Sequence, residues 1–299
     1  LTKRGAPACK IIGKLVSEIG ERNLYQYEHL QAAADYIESC LGHFGYTVSR
    51  QVYEARERQF YNLEVEIAGT EKPDEVVILG AHYDTDRKSP GANDNGSAIA
   101  ALLELARAYA GKKFSRTLRI VAFTNEESPF TRTSSMGSRV YARRCRERQE
   151  NIVAMVCLET IGFSSEEKGS QRMSLMGLLL PTRGNFIALV GNSGSKNLLG
   201  ELDQLFRQKL EVPSKALTLP THFPGAWSSD HWSFWKEDYP AVMVTDTAPL
   251  RYRPYHTPED TPEKVNYEFL TRVVDGLERA VGKLGPWGIH GRRGPHETC

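Results

Sequence analysis

The stretch EVVILGAHYDT, residues 75–85, decides the fold. Val76, Val77, Ile78 and Leu79 are apolar without a break. A strand in a sheet with one wet face would alternate apolar and polar side chains. A strand apolar on both faces belongs to a sheet covered by helices on both sides. Two polar groups able to do chemistry, His82 and Asp84, follow directly. In open α/β sheets the functional crevice lies outside the carboxyl ends of the strands.

Working outward, helical and strand patterns alternate. Residues 8–20 and 28–44 read as helices. In the second, Leu30, Ala33, Ala34, Ile37, Leu41 and Phe44 recur at helical spacing and Gly45 stops the run. Strands are expected at 47–53, 61–67, 75–81, 117–123, 153–158, 186–190 and 241–244. Helices are expected at 95–110, 134–148, 195–210 and 267–284. This alternation predicts a three-layer αβα sandwich around a mixed, mostly parallel sheet. With no repeat and no long Pro/Gly-rich linker, residues 1–284 read as one domain and 285–299 as an irregular tail.

Composition narrows the function. The chain has 299 residues, with 38 Lys and Arg against 37 Asp and Glu, a net charge of +1. A nucleic-acid binder would normally carry a basic surplus. No unbroken apolar run approaches the ~20 residues that span a bilayer. Five cysteines, Cys9, Cys40, Cys145, Cys157 and Cys299, make no CxxC pair and no disulfide scaffold. They read mostly as plain thiols, with a Cys40–Cys145 or Cys9–Cys40 bridge left open. The G-x-S-x-G elbow of serine hydrolases is absent, as is a Gly-rich phosphate loop.

The acids and histidines stand at predicted strand ends. His82 and Asp84 follow the strand at 75–81, Glu126 and Glu127 the strand at 117–123, and Glu159 the strand at 153–158. Asp246 follows the strand at 241–244, and His256 comes ten residues later. Any one of these reads as an ordinary surface or turn residue, and Asp94 in GANDNG (91–96) as turn and cap chemistry. Together they do not, because many acids at one buried edge suffer desolvation and mutual repulsion. Divalent cations relieve both, and two His with three carboxylates suit catalytic zinc. Asp84, two residues from His82 on extended chain, shares its face and is placed to orient the His82 ring. Adjacent Glu126 and Glu127 diverge, leaving one free to handle a proton.

The ordered segments GAHYDT (80–85), GANDNG (91–96), FTNEES (123–128), CLETIG (157–162), SSDHWSFW (228–235) and YHTPEDT (255–261) resemble the co-catalytic zinc exopeptidases of the bacterial leucyl aminopeptidase type. That group, clan MH, also contains the glutaminyl cyclases. The resemblance runs from about residue 28 to about 284. It implies that His82 and Glu159 bind one zinc and that Glu127 and His256 bind another. Asp94 would bridge both, with a strained, cis peptide to Asn95. Glu126 would be the general base, Asp84 the partner of His82, and Tyr255 an oxyanion-stabilising group. Asp230 and His231 would line the pocket.

Position 159 is more often Asp in that family. The resemblance implies two zinc ions per chain, or one if the longer Glu159 weakens its site. His82, commonly missing in the single-zinc cyclases, favours two. Trp227, on an expected loop, is the candidate wall of the substrate pocket, whereas Phe234 and Trp235 read equally as core.

The leading expectation is an aminopeptidase acting on peptides. Carboxypeptidase or small-amide amidohydrolase chemistry is the alternative, with Arg251 and Arg253 available for a substrate carboxylate. Cyclotransfer on N-terminal glutamine and a non-catalytic binding module follow. The compartment is not legible; the resemblance and a first residue, Leu1, that is not Met leave an extracytoplasmic location open. Oligomeric state is not legible.

Overall fold

The structure, a computed structural model, describes residues 5–172, 180–209, 212–223, 225–226 and 228–284. Among these, eight strands form one sheet: β1 (Ser49–Ala55), β2 (Arg58–Ile67), β3 (Gly69–His82), β4 (Phe114–Phe123), β5 (Asn151–Glu159), β6 (Ile187–Gly191), β7 (Ser214–Thr218) and β8 (Ala241–Thr245). Their order across the sheet is β1-β2-β4-β3-β5-β8-β6-β7. The four central strands, β4, β3, β5 and β8, are parallel to one another. The β1-β2, β2-β4 and β6-β8 pairs are antiparallel, and β7 pairs parallel to β6. The sheet is mixed and mostly parallel, as expected.

Two apolar layers explain the unbroken hydrophobic runs. Val77, Leu79 and Ala81 of β3 face one layer, with Ala154, Val156 and Leu158 of β5 and Val242 and Val244 of β8. Helices α1 (Gly5–Gly13), α2 (Tyr27–His43), α3 (Ala98–Tyr109), α5 (Lys196–Lys209) and α8 (Tyr267–Leu284) bury their apolar stripes there. Val76 and Ile78 face the other layer with Met155, Cys157 and Met243. That side is covered by α4 (Gly137–Glu147) and the short α6 (His231–Trp235), through Tyr141, Ala142, Cys145, Phe234 and Trp235. A last short helix, α7 (Ala248–Arg251), follows β8.

Local chemistry sets the helix ends. At the end of α2 the amide of Gly45 donates to Gly42 O (3.0 Å) and that of Tyr46 to Leu41 O (3.2 Å). This pair of bonds is a Schellman motif, and it needs the left-handed φ of +91° that Gly45 supplies. The Asn266 side chain accepts the Phe269 amide at 3.0 Å and caps α8.

Several boundaries move. β3 begins at Gly69 rather than near 75, because its polar first half still pairs with β4 across a register shift. The short edge strand β7 and helices α6 and α7 are not among the expected elements. Cys9, Cys40, Cys145 and Cys157 are free thiols, so neither bridge left open by the sequence forms. Cys299, the tail 285–299 and Trp227 lie outside the described residues.

Candidate metal centre

Parallel central strands end on one edge of the sheet. His82 ends β3, Glu159 ends β5, and Glu126 and Glu127 follow β4 by three and four residues. The turn 91–96 brings in Asp94. It opens at Gly91, whose φ is +69°, and a Cβ there would collide with Thr85 Cγ2 and lie 2.5 Å from Asp94 O. The Asp94–Asn95 peptide is cis. His256 comes from the loop after α7, with φ +57°.

These side chains converge. His82 Nε2 lies 3.2 Å from Glu159 Oε2, 3.5 Å from Asp94 Oδ1 and 3.9 Å from Glu126 Oε2. His256 Nε2 lies 3.0 Å from Asp94 Oδ2 and 3.2 Å from Glu127 Oε1. The two oxygens of Asp94 therefore face different imidazoles. Glu126 Oε2 stands on the His82 side and Glu127 Oε1 on the His256 side, although one oxygen of each is also close enough to His82 to share an ion with it.

A second tier of groups holds them. Asp84 carboxylate oxygens accept the amides of Glu126 (3.1 Å) and Glu127 (3.0 Å), while His82 Nδ1 lies 3.2 Å from Asp84 O and 3.5 Å from Asp84 Oδ1. Asp84 thus orients the two glutamates as well as the imidazole. Asp260 accepts the amides of Asn93 (2.8 Å) and Asp94 (3.0 Å) and the Tyr252 hydroxyl (2.7 Å). Asp246 accepts from Asn93 Nδ2 (3.0 Å) and from the Phe163 amide (2.8 Å). Ser229 Oγ donates to Glu159 Oε2 at 2.7 Å.

The electrostatics are those of a site built for cations. Burial pushes Glu126 well above the usual carboxylate range; the His82 charge opposes this and Glu127 and Glu159 add to it. Burial, with Asp94 beside it, lifts Glu127 to about 8. Burial alone would lower both imidazoles, yet Glu159 and Glu126 drive His82 well upward. Asp94 and Glu127 take His256 to about 11.

His82 Nε2, His256 Nε2 and both carboxylate oxygens of Asp94 are buried with no hydrogen-bond partner. Buried polar atoms are normally paired, and these four point at one another. His82, Asp94 and Glu159 have ligand atoms close enough to share one ion, and so do Asp86, Glu127 and His256. The donor set, imidazole nitrogen and carboxylate oxygen, fits zinc.

Other residues put forward from the sequence stand elsewhere. His231 is wholly buried, with Nε2 2.7 Å from Ala226 O and its ring edge-on to Trp235. It packs the core rather than joining the cluster, and burial lowers it to about 4. Arg251 is buried, donates to Phe186 O at 2.8 Å and covers the Phe186 ring. Asp230 is fully buried beneath the site, its carboxylate raised to about 7 by burial, with the His82 charge opposing. Tyr255 stacks on the His256 ring, centroids 3.9 Å apart and planes 16° apart.

Sequence reasoning missed Arg22, Asp86, Ser229 and the clamp formed by Asp260. Arg22 lies in an unremarkable GERN turn, with nothing nearby to mark it as buried. Its guanidinium donates to the carbonyls of Tyr83 (2.7 Å), Pro90 (2.7 Å), Gly91 (3.0 Å) and Gly20 (3.2 Å), tying the His82 strand end to the Asp94 turn. Asp260, Asp84 and Asp94 surround its charge. Arg22→Met removes that charge and leaves buried carbonyls unpaired. We expect it to lower unfolding stability by about 3–5 kcal/mol, read from urea melts of the metal-free chain; a loss under about 1 kcal/mol contradicts the assignment.

An α/β sheet that gathers imidazoles and carboxylates at the carboxyl ends of its central strands has the architecture of the zinc peptidases. Residues 62–281 match the model of Peptidase family M28, and the chain belongs to that family. It is 32% identical over 278 residues to the uncharacterized protein YfbL of Escherichia coli (strain K12), covering 90% of this chain and 84% of that one. It is 27% identical over 223 residues to Aminopeptidase YwaD of Bacillus subtilis (strain 168), covering 72% of this chain but only 43% of YwaD. Among solved structures, BSAP, a zinc aminopeptidase from Bacillus subtilis, superposes with a TM-score of 0.73 over 94% of this chain and 95% of its own, at 16% identity. No helix among the described residues is long and apolar enough to cross a membrane.

Proposed function

We propose that the protein is a metallo-exopeptidase that releases N-terminal residues from peptides. One observation carries the reading: Asp94 presents one carboxylate oxygen to His82 and the other to His256, all with buried, unpartnered ligand atoms. His82, Asp94 and Glu159 would hold one zinc; His256, Asp94 and Glu127 the other. When bound, such a pair polarises the scissile carbonyl and lowers the pKa of a water from 15.7 to roughly 7.

The remaining steps belong to the chain. Glu126 faces the His82 side and is not needed as a ligand. Its raised carboxyl suits a base that takes the proton of the attacking water and returns it to the leaving amine. Tyr255, stacked on His256, would donate its hydroxyl to the oxyanion.

Support for the free amine as the recognised end comes from charge. The charges of Asp94, Glu127 and Glu159 would be balanced by the zinc pair, and Glu126, 3.9 Å from His82 Nε2, would keep its carboxylate free. Of the two basic candidates for a substrate carboxylate, Arg251 is buried against Phe186 and Arg253 is exposed. Arg22 donates to four backbone carbonyls below the metal ligands. A free ammonium has the Glu126 carboxylate as a partner, whereas Arg251 and Arg22 are committed to backbone carbonyls and not to a substrate carboxylate.

A panel of aminoacyl anilides and their N-acetylated forms tests this. We expect chelator-sensitive release of aniline from the free-amine substrates and none from the blocked ones. Cleavage confined to N-blocked substrates with a free carboxylate would instead establish carboxypeptidase or deacylase polarity. Cyclisation of N-terminal glutamine without hydrolysis would establish the cyclotransferase alternative.

A further inference from the structure

The two imidazoles of the cluster are held in different ways. His82 is 1% exposed at the end of a central strand, with Nδ1 against Asp84. His256 stands on a loop with a left-handed backbone, and its side chain is 34% exposed. Its Nε2 is nevertheless buried and faces Asp94 and Glu127. Packing fixes the first ring. On its outer edge the second ring has solvent, so something else must fix its rotation and its tautomer.

Two contacts meet that need. The Tyr255 ring stacks on one face of His256. Asp86 Oδ2 lies 3.5 Å from His256 Nδ1. The Asp86 backbone is itself anchored: its carbonyl accepts the Ser89 amide at 3.2 Å and Asn23 Nδ2 at 3.4 Å. A stack restrains the plane of a ring but does not choose which nitrogen carries the proton. A carboxylate beside Nδ1 does, because it draws the proton there and leaves Nε2 with a free lone pair.

We propose that Asp86 is the positioning residue of the second metal site, holding the His256 ring by its Nδ1 so that Nε2 faces the ion. The inference rests on the reading of the cluster as a two-zinc centre. On it, the segment His82-Tyr83-Asp84-Thr85-Asp86 serves both halves of that centre: Asp84 backs the imidazole of its own segment and Asp86 the imidazole that arrives from residue 256. Asp86 has an oxygen close enough to Glu127 and His256 to share an ion with them, and we assign it to the ring instead. Its carboxylate faces the nitrogen that points away from the ion.

The test compares zinc retention by the full chain, Asp86→Ala and Asp86→Asn during dialysis against graded chelator. The cobalt-substituted forms supply visible spectra. Melting of each metal-free variant shows that it folds. Wild type retaining two ions establishes the centre itself; wild type retaining fewer removes the cluster reading and this inference with it.

Given two ions, we expect Asp86→Ala to weaken one of them roughly 10–100-fold, leave the other unchanged, and alter the cobalt spectrum of the weakened site. Asp86→Asn keeps an acceptor oxygen for Nδ1–H and should fall between Ala and wild type. Asp86→Ala holding both ions as wild type does overturns the proposal. So does Asp86→Asn losing one ion as completely as Asp86→Ala, since the carboxylate would then be bonding the ion directly.

Discussion

Replacing Glu126 with Gln should leave both zinc ions bound and lower kcat by about 10²–10⁴-fold, the usual contribution of a positioned general acid–base. The substitution keeps the shape and removes only the ability to take a proton. The turn is held by backbone contacts: the Glu126 amide donates to Asp84 and its carbonyl accepts the Thr131 hydroxyl at 2.7 Å. The Glu126→Gln variant therefore retains the fold of the 123–128 turn. Metal content and kcat on a free-amine anilide should separate, with two ions present and turnover nearly gone. Turnover within a few-fold of wild type would remove Glu126 from the base role. Loss of an ion together with activity would make it a ligand.

Asp94→Asn should have the larger effect on metal. Each oxygen of Asp94 serves a different imidazole, 3.5 Å from His82 Nε2 and 3.0 Å from His256 Nε2. An amide offers one oxygen, no charge, and a donor –NH₂ where the second ligand should be. The remaining groups are one His and one Glu on each side, two protein ligands where catalytic zinc sites usually have three. The Asp94 amide stays tethered to Asp260 in the variant, so the turn itself should persist. Both ions weaken together and activity falls below detection. This result distinguishes a bridging carboxylate from one that serves a single ion.

Much of this architecture is legible in the residues. Val76–Leu79 reads as a two-sided strand because both faces of β3 are buried under helices. Ligand candidates are legible because acids at several strand ends make sense only jointly. The less visible parts share a physical cause. Arg22, Asp260 and Ser229 act over 61 to 167 residues of separation, and no local period or turn signal reports such partners. Asp86 looks like one more polar residue in a turn until the loop carrying His256 is laid against it.

His231 and Arg251 illustrate the opposite error. Each is a residue type that often does chemistry, and each stands at the end of a short helix, His231 opening α6 and Arg251 closing α7. Each turns one nitrogen to a backbone carbonyl of the core, His231 Nε2 to Ala226 O and Arg251 Nη2 to Phe186 O. Sequence supplies the residue type, but packing decides which way the side chain turns. The edge strand β7 escapes notice for a related reason, since Ser214–Thr218 is too short and too polar for a strong alternation.

Zinc titration of the metal-free chain by calorimetry, with Asp94→Asn run beside it, tests the central claim most directly. The account predicts two ions per wild-type chain and a loss of affinity in both binding steps of the variant. A single ion in wild type, or a variant in which one step keeps its wild-type affinity, would contradict it.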